Sequence, residues 1–149
     1  MRKSYSGKFV PKHPDKYLGN INDIVYRSLL ERRFMVYCDE HPKVLRWNSE
    51  GIIVKYLSPV DQKVHRYFVD FIVQVESRDG NKKTILIEVK PYSQCFPPKT
   101  PKKQNRRYIT ECATYAVNQA KWDAAKALCA KEGWEWKVLT EKELKPGKS

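Results

Sequence analysis

The sequence predicts one domain of the α/β (α+β) class, with its elements in the order αββββααβα. A length of 149 residues is typical of a single domain, and 41% hydrophobic with 12% aromatic residues supplies enough apolar surface for a packed core. Four runs rich in β-branched and aromatic residues lie between two stretches whose apolar side chains repeat at helical spacing. The apolar runs are far shorter than the roughly 18 residues of a transmembrane helix, so we expect no membrane contact and a cytoplasmic location.

The first helix and the strands after it are separated by a change in apolar spacing. Apolar residues repeat every three or four positions over 20–38, which predicts a helix that ends before His41-Pro42. Turn-forming residues such as Asn48-Ser49-Glu50-Gly51 then divide runs of β-type residues. We predict an antiparallel meander of four strands, at 44–47, 52–57, 64–76 and 83–90.

The rest of the chain predicts further helices and one more strand. Helical spacing returns over 107–131, and Asn118 is a residue type that can cap a second helical segment there. A last strand is predicted at 134–139. Thr140-Glu141-Lys142-Glu143 has the spacing of a capping box, which predicts a short terminal helix.

The charged residues predict a folded middle with basic margins. A net charge of +12 is typical of proteins that bind a polyanion, most often nucleic acid. We divide the chain into a basic N-terminal arm at 1–19, a folded domain at 20–144 and a frayed basic tail at 145–149. The arm could contact phosphates or simply be solvated. A second basic stretch, called the basic segment below, is predicted to be a mobile DNA-binding loop; its cations are Lys99, Lys102, Lys103, Arg106 and Arg107.

Charged residues also interrupt two of the predicted strands. Glu88 and Lys90 follow the aliphatic run Thr84-Ile85-Leu86-Ile87 and end that strand. Because side chains alternate along a strand, Glu88 and Lys90 share one face and Val89 lies on the other. Asp70 lies within a second apolar run, where a carboxylate is costly unless it is paired or binds a metal.

A three-residue turn between these two strands would bring Asp70 and Glu88 together. If Arg78-Asp79-Gly80 is the loop, with Gly80 in the left-handed conformation, Ser77 faces Asn81 and Asp70 faces Glu88. A two-residue loop would shift the register by one position and place Asp70 on the other face. The three-residue register also pairs the apolar residues of the opposite face, Val69 with Val89, Phe71 with Ile87 and Val73 with Ile85.

Two facing carboxylates predict a metal site. At about 5 Å across paired strands they repel each other unless a cation lies between them, and Mg²⁺, with Mn²⁺ as its substitute, is the hard cation that suits oxygen ligands. Lys90 could neutralise charge, hold a phosphate or orient the attacking water, and Glu31 could support a second metal position. The residues also allow an alternative, an internal salt bridge of Lys90 with Asp70 or Glu88, with Glu31 merely solvated.

The order of these residues resembles the PD-(D/E)XK nuclease superfamily. A helix bearing Glu31, then Asp70, then Glu88-Val89-Lys90 after a hairpin follows the superfamily's pattern, with Val69 in the place of its usual proline. The resemblance implies a restriction-endonuclease-like fold, in which helices flank a central mixed β-sheet.

Longer motifs resemble the TnsA-like transposon endonuclease branch of that superfamily. Over nearly the whole chain, including Lys3-Ser4-Tyr5-Ser6-Gly7-Lys8-Phe9, the sequence is also similar to the head completion nucleases of T-even-type tailed phages. The motifs shared with the TnsA-like branch are Tyr26-Arg27-Ser28-Leu29-Leu30-Glu31-Arg32-Arg33-Phe34, His65-Arg66-Tyr67-Phe68-Val69-Asp70-Phe71, Asn118-Gln119-Ala120-Lys121-Trp122 and Gly133-Trp134.

The resemblance assigns roles to residues of this sequence. It makes Asp70 and Glu88 metal ligands, with the Val89 carbonyl as a third. It makes Lys90 the residue that orients water and stabilises charge, and it places Glu31 at a second metal or its water shell. The candidate catalytic residues are therefore Glu31, Asp70, Glu88 and Lys90, and no cofactor other than the metal is expected.

The same resemblance implies a function. It is that of a Mg²⁺-dependent DNA endonuclease that hydrolyses phosphodiester bonds and processes the ends of packaged phage DNA during head completion, before tail attachment. DNA and the portal or neck proteins of the head are the implied partners, and the implied location is the host cytoplasm during assembly, with retention in the virion head. Lys121 could contact a phosphate, but it and Gln119 could equally be ordinary exposed helix residues. The alternative function is a non-catalytic head or portal adaptor that retains the nuclease fold.

Overall fold

The computed structural model describes residues 5–144. The first four residues of the predicted arm and the predicted tail at 145–149 lie outside the described residues. None of the described helices combines the length and apolar character needed to cross a membrane. The strands and α-helices are, in order, β1 (Gly7–Lys8), β2 (Val25–Tyr26), α1 (Leu29–Glu40), β3 (Val44–Ser49), β4 (Ile53–Leu57), β5 (Val64–Phe68), β6 (Phe71–Glu76), β7 (Lys82–Val89), α2 (Arg106–Glu132) and β8 (Glu135–Leu139), and short 3₁₀ helices lie at Pro14–Lys16 and Tyr92–Cys95.

A four-stranded mixed sheet lies at the centre of the fold. Its strand order is β3-β6-β7-β8, with antiparallel pairing of β3 with β6 and of β6 with β7. The last pair, β7 with β8, is parallel, so α2 crosses from the end of one strand back to the start of the next. The predicted α+β class with a central mixed sheet is confirmed.

The two helices cover opposite faces of this sheet. Phe71, Ile85 and Ile87 belong to a core cluster with Phe34 of α1. Leu86, one position out of step with these residues, belongs to a second cluster, with Trp122 and Ala125 of α2. This separation follows from the alternation of side chains along β7, which is buried on both faces.

The predicted simple meander does not form. Strands β3 and β4 form one arm of a long hairpin and strands β5 and β6 form the other, and the hairpin bends between these two pairs of strands. Strands β4 and β5 form a separate two-stranded sheet, and the bend carries two backbone hydrogen bonds, from Glu50 N–H to the Asp70 carbonyl at 3.0 Å and from Val69 N–H to the Ile52 carbonyl at 3.0 Å. The predicted strand at 64–76 is therefore two strands. Val69 joins Leu86 in the cluster under α2, so its predicted pairing with Val89 is wrong.

The N-terminal residues from Tyr5 onward belong to the folded body. Phe9 and Tyr17 are buried, and both rings contact Trp47, with centroids 5.9 and 4.7 Å apart. The buried carboxylate of Asp39 accepts two consecutive backbone N–H groups, from Lys12 at 2.8 Å and from the next residue at 2.9 Å. The prediction of an extended arm is therefore wrong for this segment, because its apolar side chains complete the core.

The first helix begins later than its apolar spacing predicts. Residues 20–28 form turns and the short strand β2, and Ile24 in this region is 1% exposed. The helix begins after Ser28, whose hydroxyl oxygen accepts the N–H of Glu31 at 3.1 Å. Glu31 consequently lies in the first turn of α1.

The second helix is continuous, and the predicted break at Asn118 does not occur. Asn118 is a buried residue in the middle of α2. The helix begins after Asn105, whose side chain accepts the N–H of Tyr108 at 2.8 Å, and ends at Gly133 with φ of +75°.

At the predicted capping box, Thr140 donates both its backbone N–H and its hydroxyl to Oε1 of Glu143, at 2.7 and 3.0 Å. These hydrogen bonds close only a turn, and within residues 5–144 no helix follows α2.

Candidate active site

The turn between β6 and β7 sets the register that the sequence predicted. Gly80 has φ of +83°, and Ser77 donates its N–H to the carbonyl of Asn81 at 2.8 Å. The ladder then pairs Phe71 with Ile87. Asp70 directly precedes Phe71, and its side chain lies close enough to Glu88 for that carboxylate to raise the pKa of Asp70. The predicted three-residue loop is confirmed.

Asp70 is half-buried at the bend of the hairpin. Its Oδ2 accepts the backbone N–H of Val89 at 2.9 Å. Burial raises the pKa of Asp70 well above its usual range, and the negative charge of Glu88 raises it further, while the Val89 hydrogen bond acts in the opposite direction. In the absence of a cation, burial and the charge of Glu88 therefore disfavour the ionised form of Asp70.

Glu88 is 5% exposed, and both of its carboxylate oxygens are held by aromatic residues. The hydroxyl of Tyr67 donates to Oε1 at 2.9 Å, and the indole Nε1–H of Trp122 donates to Oε2 at 3.1 Å. Burial and the neighbouring charge of Glu88 raise the pKa of Tyr67, so the phenol remains a donor. These contacts orient the carboxylate toward Asp70 without supplying a positive charge.

Sequence reasoning missed these two positioning residues. Trp122 has the spacing of a core residue, and Tyr67 lies in an apolar strand that gives no sign of a special role. The usable signal is chemical: a buried Tyr or Trp needs a partner for its O–H or N–H, and Glu88 is a buried acceptor.

Lys90 lies beside this pair as a partly exposed cation. Its Nζ is 3.8 Å from Oε2 of Glu88, and its side chain is 20% exposed. This contact corresponds to the internal salt bridge that the sequence left as an alternative, but it is longer than the two hydrogen bonds that Glu88 accepts from neutral donors. The ammonium of Lys90 is therefore close to Glu88 but lies beyond ordinary hydrogen-bond distance of its Oε2.

Glu31 lies at the edge of the site. It accepts the N–H of Arg27 at 3.3 Å, and its burial raises its pKa. Its charge contributes to the raised pKa of Asp70, which places it within electrostatic reach of the pair. The guanidinium of Arg27 pairs with Glu50 at 2.9 Å next to it.

The donors brought together are two carboxylates. Within residues 5–144, no three side chains from His, Cys, Asp and Glu form a metal-binding group, so Glu31 is not gathered with Asp70 and Glu88 into a closed set of ligands. Two carboxylates fit Mg²⁺, which typically uses one or two protein carboxylates and completes its shell with water and phosphate oxygens. The N–H of Val89 is used by Asp70, and its carbonyl belongs to the same strand end.

Comparison with known proteins identifies the family. A family model described as the N-terminal domain of TnsA-like endonucleases matches residues 41–141. The chain belongs to this family. The match contains Asp70, Glu88 and Lys90 but not Glu31. The head completion nuclease of Enterobacteria phage T4 is 35% identical to the chain over 146 residues, which cover 95% of each protein. Both comparisons support a nuclease role, and the second supports a connection with phage head completion.

In this TnsA-like chain the five predicted DNA-binding residues of the basic segment are exposed, and Lys121 is partly buried, but the basic segment is not entirely a loop. Arg106 and Arg107 form the first turn of α2, and Arg107 pairs with Glu111 at 2.8 Å. The three lysines of the basic segment are exposed and precede the helix. Lys121 lies closer to the carboxylates, with its Nζ 5.6 Å from the ring centre of Tyr67.

Proposed function

We propose that the protein is a Mg²⁺-dependent DNA endonuclease that hydrolyses phosphodiester bonds. The observation that carries the proposal is the neighbouring pair of carboxylates Asp70 and Glu88, with Lys90 beside Glu88. The fold does not need this arrangement, because burial and the charge of Glu88 oppose the ionisation of Asp70. Such groups are common at sites of metal binding and catalysis.

Each residue of the site has a chemical role in this proposal. Asp70 and Glu88, with the Val89 carbonyl, would hold the metal, and Tyr67 and Trp122 keep Glu88 in position for it. A bound Mg²⁺ would supply an activated water and stabilise negative charge on the scissile phosphate. The remaining positive charge comes from Lys90, placed to stabilise the developing charge or orient the water.

Glu31 would support a second metal position or its water shell. Its raised pKa and its separation from the other two carboxylates suit a supporting role at the edge of the site better than direct ligation of the same ion.

The proposed biological reaction is processing of packaged DNA ends during head completion, before tail attachment. The name of the phage T4 relative supports the setting, and a net charge of +12 with an exposed basic segment supports DNA as the substrate. In this setting the partners are the portal or neck proteins of a phage head, and the location is the host cytoplasm during assembly, with retention in the virion head.

The proposal is tested by cleavage of supercoiled and linear duplex DNA in Mg²⁺, in Mn²⁺ and in EDTA. We expect cleavage that depends on metal and is abolished by Asp70→Asn and by Glu88→Gln. Glu76→Gln is a matched control, because Glu76 is an exposed carboxylate at the far end of β6. Activity of Asp70→Asn equal to the wild type would overturn the metal site. A folded wild type that never cleaves would favour the adaptor alternative, in which the Glu88–Lys90 contact is structural.

A further inference from the structure

The hairpin of β4 and β5 has one covered face and one free face. On the covered face, Val54 and Tyr67 are buried against Trp122 and Ala125 of α2. Because side chains alternate along both strands, every second residue points the other way. Those residues form three cross-strand pairs, called the outer face below: Ile53 with Phe68, Lys55 with Arg66 and Leu57 with Val64.

The outer face is unusually apolar for a solvent-exposed hairpin. Its four apolar side chains, Ile53, Leu57, Val64 and Phe68, are 48, 57, 66 and 45% exposed. Val60 in the connecting turn is 62% exposed and extends the same region. Contiguous exposed apolar patches on soluble proteins commonly mark binding surfaces.

The two cations at the centre of the outer face are equally unexplained by the fold. Lys55 and Arg66 stand directly opposite each other, an arrangement that destabilises an antiparallel pair. The ion pairs found within residues 5–144 include neither of them. Arg66 instead lies over the ring of Phe68, with its Cζ 5.7 Å from the ring centre. A negative charge placed between these cations would remove the repulsion.

We propose that the outer face is a docking site for a protein partner whose surface combines carboxylates with apolar side chains. The carboxylates would lie over Lys55 and Arg66, and the apolar groups would cover the pairs on either side. A second copy of the chain fits poorly, since it would bring the same two cations against each other on a protein of net charge +12. DNA fits poorly as well, because phosphates leave the four apolar side chains uncovered.

This proposal does not rest on nuclease activity. Glu88 accepts hydrogen bonds from Tyr67, on the covered face of the hairpin, and from Trp122 of α2, whereas the outer face points away from α2. The two proposals can therefore fail separately.

The test is selection of peptides from a yeast-displayed library of random dodecapeptides, with the labelled full chain as bait. Peptide binding is compared between the wild type and three variants. Lys55→Glu/Arg66→Glu reverses the central charge, Leu57→Ser/Val64→Thr removes apolar groups, and Lys126→Glu/Lys131→Glu is the control. The control changes two exposed lysines of α2 and alters the net charge by the same amount as Lys55→Glu/Arg66→Glu. All the replaced side chains are exposed, so melting temperatures close to the wild type are expected, and plasmid cleavage should persist in each variant.

We expect peptides selected on the wild type to combine Asp or Glu with Leu, Ile or Phe. They should keep their affinity for the control variant and bind each of the other two variants at least about tenfold more weakly. Selection on Lys55→Glu/Arg66→Glu should enrich basic residues instead. Peptides that bind all variants equally, or an absence of enrichment, would overturn the proposal. A wild-type dimer that Leu57→Ser/Val64→Thr dissociates in sedimentation would assign the face to a second copy. A loss of duplex affinity in Lys55→Glu/Arg66→Glu that exceeds the loss in Lys126→Glu/Lys131→Glu would assign it to DNA.

Discussion

Replacing Asp70 by asparagine should stabilise the metal-free protein while it abolishes metal-dependent cleavage. The amide keeps the size of the side chain and an oxygen that can accept the N–H of Val89, which Asp70 accepts at 2.9 Å. It removes the ionisable group that lies beside Glu88. A neutral amide oxygen is a weaker ligand of a hard cation than a charged carboxylate, so the same substitution that relieves the fold should disable the proposed metal site.

The size of the stabilisation depends on pH, and its sign follows from the raised pKa of Asp70. Burial and the charge of Glu88 hold this pKa above its value in the unfolded chain, so between the two values the native state keeps a proton that the unfolded state has lost. The free energy of unfolding of the wild type therefore falls as pH rises through this window, by up to about 1.4 kcal/mol per pH unit for one group. For a domain of this size the slope corresponds to about 3–6 °C of melting temperature per pH unit.

The measurement is the melting temperature of wild type and Asp70→Asn in EDTA, from about pH 3.5, below the ordinary pKa of aspartic acid, to pH 8. The two proteins should converge at the acid end, where Asp70 is protonated in both states, and Asp70→Asn should become the more stable as pH rises. Added Mg²⁺ should then raise the melting temperature of the wild type alone. A constant difference across the pH range, or a less stable variant at pH 8, would refute the reasoning, and Glu76→Gln should show neither effect.

Four further variants test separate parts of the structure. Lys90→Ala should lower single-turnover cleavage far more than DNA affinity, because it removes one cation among 29 basic residues; equal reductions would make Lys90 an anchoring residue. Neutralising the basic segment should reduce the slope of log K against log salt, where K is the DNA association constant measured by fluorescence anisotropy, by about 0.9 for each phosphate that the segment binds in the wild type. An unchanged slope would show that the segment points away from DNA. Trp122→Phe removes a hydrogen-bond donor to Glu88, so it should slow cleavage and lower the free energy of unfolding, measured by chemical denaturation, by about 1–2 kcal/mol. Cleavage at the wild-type rate would show that this donor is dispensable. Asp39→Ala should lower the free energy of unfolding by about 1.5–3 kcal/mol in urea, since two backbone N–H groups are deprived of a charged acceptor; a change near zero would mean that water replaces it.

The pairing of Asp70 with Glu88 could be predicted because its determinants are local. The turn Arg78-Asp79-Gly80 fixes the register, and the alternation of aliphatic residues in β7 agrees with that register. Either signal alone leaves a shift of one residue open. Together they determine which side chains face each other, before anything is known of the helices.

The bend of the hairpin could not be predicted, because its cause is not local. The run from Tyr67 to Val73 is apolar on both sides of the break, so its composition is that of one continuous strand. The break depends on the backbone of Asp70 bonding to Glu50, which lies on the other arm with φ of +56°. The position of Tyr67 against Glu88 depends on the same bend, so this contact could not be foreseen either.

The helix ends and the N-terminal segment were mispredicted for related reasons. Asparagine costs well under 1 kcal/mol in a helix interior, and the packing of a 27-residue helix easily outweighs the preference of Asn118 for a cap. Conversely, Ser28 supplies a real cap that outweighs the apolar spacing before it. Phe9 and Tyr17 lie among basic and proline residues, and their burial depends on Trp47, which is distant in the sequence.

The continuity of α2 fixes a length scale for any substrate. At about 1.5 Å of rise per residue, Arg106 lies roughly 24 Å along the helix axis from Trp122, the residue that contacts Glu88. That span corresponds to about seven base pairs of B-form duplex. In the proposed nuclease, a duplex that runs along α2 and is shorter than this, measured from the scissile phosphate, would occupy the carboxylate pair without reaching the first turn of the helix. If the basic residues of that turn bind phosphates as proposed, the minimum footprint for tight binding would be longer than the minimum for cleavage, and the length of α2 would set the difference.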